Sequence, residues 1–312
     1  MSWSRSAPGD VWRSETGTIG DVISVHATGD VDEYAAAAGA FLRAEPCARN
    51  VMLTVTDIVR TAPSTYSAPP SFWWVTDAGS VVGAASWTPP HGLLVSSIPP
   101  DAAADLAAAA LERATALGIR PGGVVGPASS ARAVAAAWTA VTGDTIELDR
   151  PILLNELGSL TKVARPSGTR RPGVAGDVPL IAAWLDDFSA EIEHVAPADP
   201  RGMADHMIQS GHLDLWEVDG RIVCMVGHRD AAGVLRVGPV YTPPEHRNHG
   251  YARWLTYEVT ALALERPGVE HAMLFTDAAN PVSNSIYRQA GYHPRGEHVE
   301  IEFAKRNATL GH

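Results

Sequence analysis

Between Val237 and Glu265 the chain reads VGPVYTPPEHRNHGYARWLTYEVTALALE. A strand-like run ends at a proline pair, a short polar loop follows, and Gly250 falls where an amphipathic helical pattern begins. A glycine at such a junction lets backbone amides approach a ligand, and the unpaired N–H groups of a first helical turn favour negative charge. The amides of His249, Gly250, Tyr251 and Ala252 would do most of the holding. Arg247 adds a charge-assisted contact, with Asn248 beside it in the loop. The ligand end this suits is a diphosphate. No G-K-[ST] follows, so it is not a Walker loop, and no G-x-G-x-x-G is present to mark a dinucleotide site.

Further on, NPVSNSIYRQAGY spans Asn280 to Tyr292. Asn280 before Pro281 suits a helix cap. Asn284 and Tyr287, three residues apart, share one helix face.

These two stretches resemble the signatures of the GNAT superfamily of N-acetyltransferases. R-N-H-G-Y-A, Arg247 to Ala252, is similar to its acyl-CoA-binding pattern, and Asn280, Ser283, Ile286, Tyr287, Gly291 and Tyr292 to its second signature. The resemblance covers about residues 160 to 305. It implies acetyl-CoA as donor substrate, main-chain bonds from Val240 and Thr242 to the pantetheine arm, and Arg247 to Ala252 on the pyrophosphate. Asn280, Asn284 and Tyr287 would lie beside the donor. The implied reaction is direct attack of a primary amine on the thioester. The Val240 N–H would face the developing oxyanion, and Tyr287 would act as general acid. A phenol of reference pKa ~10 protonates a thiolate whose parent thiol is near ~8.5 only with help from geometry. As proton sink, FSAEIEHV offers Glu193, with Glu191, His194 and the strand residue Glu217 as alternatives. A transferase of longer acyl groups, or a non-catalytic acyl-CoA-sensing module, fits the same cradle.

The elements that must position these residues come in a repeated order. The first half reads as helices at 32–43 and 50–59, strands at 71–75, 81–87 and 93–98, a helix at 101–116, a strand near 123–125, a helix at 130–141 and a strand at 145–153. From about Leu160 the order returns: helix 177–192, strands 213–218 and 222–226 joined by Asp219-Gly220, strand 234–241, helix 250–265, strand 272–276, helix 282–290 and strand 299–303. This predicts an α+β fold on mixed sheets, as two tandem GNAT-like domains of 1–157 and 158–312. The first is a degenerate copy: after its own proline pair it has DAAADLAA, without glycine or basic residue.

Composition narrows the partners. The 312 residues carry 24 Lys plus Arg against 35 Asp plus Glu, a formal charge of -11, whose field repels phosphate backbones and anionic lipid. Neither nucleic acid nor membrane is an expected partner. An amine-bearing acceptor, a small molecule or a protein amino group, is. The two cysteines form no disulfide framework, and no signal segment is apparent, so a cytoplasmic location is expected. The twelve histidines show no metal-ligand spacing, and no metal is expected. The sequence leaves the oligomeric state open.

Overall fold

The computed structural model describes residues 13–16, 23–62, 65–192 and 199–304. In chain order the elements are β1(Arg13–Thr16), β2(Ile23–Thr28), α1(Val31–Ala44), α2(Asn50–Thr61), β3(Ser71–Asp77), β4(Ser80–Trp87), β5(Leu93–Val95), α3(Ala103–Leu117), β6(Gly123–Pro127), α4(Ala128–Thr142) and β7(Ile146–Leu157). There follow β8(Thr169–Pro172), α5(Val178–Glu191), α6(Pro200–Gln209), β9(Leu213–Val218), β10(Arg221–Ala231), β11(Val234–Tyr241), α7(Tyr251–Leu264), β12(His271–Asp277), α8(Pro281–Ala290) and β13(Tyr292–Phe303). The order of elements in β2–β7 returns in β8–β13; the expected repeat is present, with β2, β8 and α6 in addition to the elements the sequence pattern marks.

The chain packs as two compact units, one of Met1–Ile152 with Glu297–His312 and one of Leu153–Gly296. The units therefore differ from a division at 157/158, because each completes its sheet with a strand from beyond it. In the first unit the strands run β1-β2-β3-β4-β5-β6 and end on β13. There His298 to Glu302 pair antiparallel with Pro127 to Gly123. Val299, Ile301 and Phe303 are buried in its core beside Trp138 and Trp87. In the second unit the order is β7-β12-β11-β10-β9-β8, and Asn155 of β7 donates through Nδ2 to Thr276 Oγ1 of β12 at 2.9 Å.

The second unit has apolar layers on both faces of its sheet. Trp216, Cys224, Val226, Leu235 and Val237 pack with α7 and α8 through Trp254, Leu255 and Tyr287. Leu215, Met225 and Tyr241 pack with α5 and α6 through Ile181, Trp184 and Met207. The β9–β10 turn places Asp219 at φ 48 and Gly220 at φ 75, the left-handed pair a two-residue hairpin requires.

Two glycines hold this unit's framework. A Cβ on Gly227 would come within 2.6 Å of Met207 Cε, so α6 lies directly on β10. Gly291 ends α8 at φ 103, and a Cβ there would stand 2.0 Å from the Ser159 carbonyl oxygen. The chain after β7 is laced to this spot: Gly158 N–H donates to Gly291 O and Thr161 N–H to Ala290 O, each at 3.0 Å.

Among the described residues no helix is long and apolar enough to cross a membrane.

Candidate functional site

The site is built around the place where two parallel strands part. β11 and β12 pair from Val234↔His271 to Val237↔Leu274 and no farther, although β11 continues to Tyr241 and β12 to Asp277. On the other side β11 stays paired with β10, Val240 opposite Val226 and Tyr241 opposite Met225, across a register shift at Gly238 and Pro239. Proline lacks a donor, and Gly238 at φ 136 takes a backbone conformation strained for other residues. The bulge turns β11 away from β12 and leaves its main chain from Gly238 to Tyr241 without a ladder partner on that side.

The parted strand leads straight into the loop. After a 3-10 turn at Pro244–His246 the backbone is left-handed at Asn248, φ 67, and again at Gly250, φ 79. The first helical bond of α7 runs from Trp254 N–H to the Gly250 carbonyl at 3.0 Å. The amides of Tyr251, Ala252 and Arg253 precede that bond and have no partner in the preceding turn. A Cβ on Gly250 would meet nothing closer than Arg253 Nη2 at 3.5 Å. Conformation, not space, calls for glycine there.

Side chains around the loop fix its shape. His249 stacks on Tyr251 with ring centroids 5.3 Å apart and planes 9° from parallel, and its Nδ1 lies 3.2 Å from the His246 carbonyl. Arg247 donates through Nε to the Thr242 carbonyl at 2.9 Å and pairs through Nη2 with Glu191 at the end of α5. One lone pair of the Thr242 carbonyl is thereby taken, which leaves its N–H and the second lone pair for a ligand. Both partners of the Arg247–Glu191 pair are 42% exposed, so the pair is weak and exchangeable.

The second motif lies on α8, beyond β12. Asn280 is exposed and caps α8, its Oδ1 accepting from Ser283 N–H at 3.0 Å. Asn284 is turned inward. Its Nδ2 donates to the Asp277 carbonyl at 3.1 Å, while its Oδ1 is buried and has no hydrogen-bond partner among the described residues. Tyr287 is 9% exposed and meets Tyr292 edge to face at 6.4 Å. Burial pushes the Tyr287 phenol well above its ordinary value, a hydrogen bond with Ser283 one turn earlier opposes this, and nearby Cys224 pushes it farther up. Burial likewise takes the Cys224 thiol up to about 12, offset in part by the Thr242 hydroxyl. Tyr292 is fully buried, its hydroxyl 2.7 Å from Thr260 Oγ1. The Gly291-Tyr292 pair of the motif is thus part of the framework.

Of the expected proton sinks, Glu193 and His194 lie outside the described residues. Glu217 does not stand free: Arg171 donates to it at 2.9 Å while also holding Asp177. Glu191, expected near the acceptor, is instead the partner of Arg247. The Arg247–Glu191 link has no sequence signal, since its ends are 56 residues apart.

The first unit closes the corresponding place. β5 stops at Val95, and the Ile98 N–H just beyond it donates at 2.8 Å to the hydroxyl of Ser130 on α4.

Comparison with known proteins agrees with this geometry. The model of the Acetyltransferase (GNAT) family matches residues 180–292. Residues 180–292 form a GNAT-family domain. Among solved structures, a GCN5-related N-acetyltransferase from Kribbella flavida is similar with a TM-score of 0.52 at 20% identity, over 72% of this chain and 87% of that one. A Drosophila protein is similar over 92% of this chain and the whole of that one, with a TM-score of 0.60 at 14% identity. At such identities the likeness is one of fold. A comparison with curated proteins found no match. The parted strands, the glycine-led helix and Tyr287 all fall inside the GNAT-matched segment, and the fold supports acyl transfer from an acyl-CoA.

Proposed function

We propose that the protein transfers an acetyl group from acetyl-CoA to a primary amine, using the site on β11, α7 and α8. One observation carries the reading: the β11–β12 ladder ends at Val237↔Leu274, directly ahead of a helix whose first amides are unpaired. The residues present fit an acyl-CoA donor. The free edge of β11 matches the amide-rich pantetheine arm, and the buried, unpartnered Oδ1 of Asn284 is an acceptor for one of that arm's N–H groups. The α7 amides suit a diphosphate. Arg247 reaches that diphosphate when it exchanges the Glu191 carboxylate for phosphate oxygen.

In this reading the Val240 N–H faces the carbonyl oxygen as charge develops there, a fixed dipole that needs no rearrangement during reaction. The amine nitrogen bonds to the carbonyl carbon and the C–S bond breaks. Tyr287 passes its phenolic proton to the departing sulfur, and one nitrogen proton leaves to a carboxylate or water. Solvent then restores the Tyr287 proton. The phenol is protonated through the neutral range, so Tyr287 enters each cycle with a proton to give, and because burial makes it a weaker acid the transfer must be concerted with C–S cleavage. A longer acyl-CoA would use the same backbone contacts and differ only beyond the thioester.

The test is thiol release from acetyl-CoA with a library of amines, run beside calorimetric titration of acetyl-CoA alone. Saturable binding with amine-dependent release is the expected result. Tight binding without release for any amine would make the protein a sensor, and no saturable binding would end the case for this site.

A further inference from the structure

The C-terminal turn of α5 stands over the end of the parted strand. Tyr241 closes β11 and turns its ring to the α5 side, where it meets Trp184 with centroids 5.8 Å apart. Asp187 follows Trp184 at i,i+3 and Glu191 follows Asp187 at i,i+4, which sets the three on one face of α5. Glu191 reaches Arg247 across the loop. Glu245 lies in the 3-10 turn Pro244–His246 that follows the strand. Asp187, Glu191 and Glu245 thus gather about one tyrosine, together with the Arg247 guanidinium.

Tyr241 is itself 4% exposed, and its hydroxyl has no hydrogen-bond partner among the described residues. A buried hydroxyl left unbonded costs free energy that a ligand would recover. Burial, then Asp187 and Glu191, raise the Tyr241 phenol above its ordinary value; Arg247 opposes them and Glu245 adds to them. The hydroxyl is therefore protonated at neutral pH and faces all four charged groups. Asp187 and Glu245 are exposed and have no ion-pair partner among the described residues.

Helix stability gives no reason for these acids. The C-terminal end of a helix carries partial negative charge and favours cations, yet α5 runs out through Asp187 and Glu191 with no basic residue in its last turn. The arrangement makes sense if a cation arrives from outside the chain. Its position suits an acceptor: Tyr241 is the neighbour of Val240, whose N–H faces the thioester oxygen in the reading above. The Arg247–Glu191 pair sets when the cluster is complete. While Glu191 holds Arg247, one carboxylate is neutralised; when Arg247 turns to a diphosphate, that carboxylate is released toward the other two.

We infer that Asp187, Glu191, Glu245 and the Tyr241 hydroxyl form an ammonium subsite that selects an acceptor with a second positive charge, a diamine or polyamine, and that donor binding completes the subsite by drawing Arg247 off Glu191. The inference rests on the acyl-transfer reading above and names its acceptor class. An alkylammonium carries three N–H donors and no acceptor, which carboxylate and hydroxyl oxygens can take together. Donor and acceptor then strengthen each other, although their own charges never need to touch.

The experiment compares kcat/KM for cadaverine and hexylamine, which differ only by an ammonium against a methyl at the far end, in the wild type, Asp187→Asn and Glu245→Gln. Both positions are exposed, so each variant should fold. The diamine is expected to be preferred in the wild type. Each variant should lower the cadaverine-to-hexylamine ratio about three- to fivefold, the upper range for an exposed ion pair, with the acetyl-CoA Kd unchanged. Calorimetric titration of cadaverine with and without CoA reads the subsite without turnover. CoA should lower the cadaverine Kd about threefold or more in the wild type, and Glu191→Gln should remove that gain. Turnover in which cadaverine has no advantage, or keeps it in full in both variants, overturns the inference alone, and so does a wild-type cadaverine Kd that CoA does not lower. Cadaverine binding that Asp187→Asn weakens, with no transfer to any amine, overturns the acyl-transfer reading and leaves the ammonium subsite standing.

Discussion

Arg247 reaches across the loop to the carbonyl of Thr242, 2.9 Å from its Nε, while its Nη2 grips Glu191. The cation of the proposed pyrophosphate site is therefore held in place before any ligand arrives, by one bond to backbone and one to a competing carboxylate.

Removing the competitor should help binding. Glu191→Gln frees Arg247 from an exposed ion pair worth at most about 1 kcal/mol, so the Kd of acetyl-CoA should fall by up to about fivefold. Calorimetry at low salt checks this. A weaker Kd would mean that Glu191 positions Arg247 rather than competing for it.

Gly250→Ala tests conformation apart from bulk. The added methyl has room, with its nearest neighbour at 3.5 Å, but alanine at φ 79 costs about 1–2 kcal/mol. Either the loop keeps its shape and the protein loses that stability, or the loop relaxes and the acetyl-CoA Kd rises about 10-fold. Melting and titration of the same sample distinguish these, and no change in either would remove Gly250 from the site.

Tyr287→Phe should lower kcat by about 10²- to 10⁴-fold, the range for a positioned general acid, with little change in KM for the donor. The pH profile supplies a second check. Because burial holds the phenol above its ordinary value, wild-type kcat should show no fall from this group as pH passes ~10. The same shift bears on stability. The unfolded phenol ionises from about pH 10, so the stabilisation from keeping Tyr287 neutral is complete below that pH and is lost as pH climbs toward the folded value. Alkaline melts of wild type and Tyr287→Phe should diverge only above about pH 10.

Gly291→Ala separates framework from chemistry. Its Cβ would meet the Ser159 carbonyl oxygen at 2.0 Å with φ at 103, a clash of backbone with backbone. A loss of at least about 2 kcal/mol is expected, or roughly 4–8 °C in Tm for a unit of this size, read by thermal melting. A melting point within 1 °C or so of wild type would show that the 158–161 segment is free to move aside.

Much of this architecture was legible because local chemistry dictated it. The Asp219-Gly220 hairpin demanded two left-handed residues, and both are present. The α7 start at Gly250 and the α8 cap at Asn280 followed from capping rules. The strand expected at 93–98 ends at Val95, and Ser96 and Ser97 interrupt the apolar run before Ile98. There the Ser96 N–H still donates to the Ala84 carbonyl at 2.9 Å, but the return bond from the Ala84 N–H goes to the Ser96 hydroxyl at 2.8 Å instead of to main chain. α6 was missed, although Asp199 before Pro200 is a cap followed by a first-turn proline, and Asp199 does accept from Gly202 N–H. What local pattern cannot encode is partnership at a distance. Nothing in LNEL at 154–157 says that it belongs beside β12, and nothing in VEIEF at 299–303 says that it belongs beside β6.

The last described strand of the chain completes the first unit. Ribosomes deliver residues in order, and domains generally fold as they emerge. Here the earlier-made half must wait with β6 uncovered until Val299, Ile301 and Phe303 appear, whereas the acyltransferase half receives its borrowed strand before the rest of it is made. Nascent chains stalled short of residue 297 should therefore display an open sheet edge, the kind of surface that chaperones and neighbouring chains recognise.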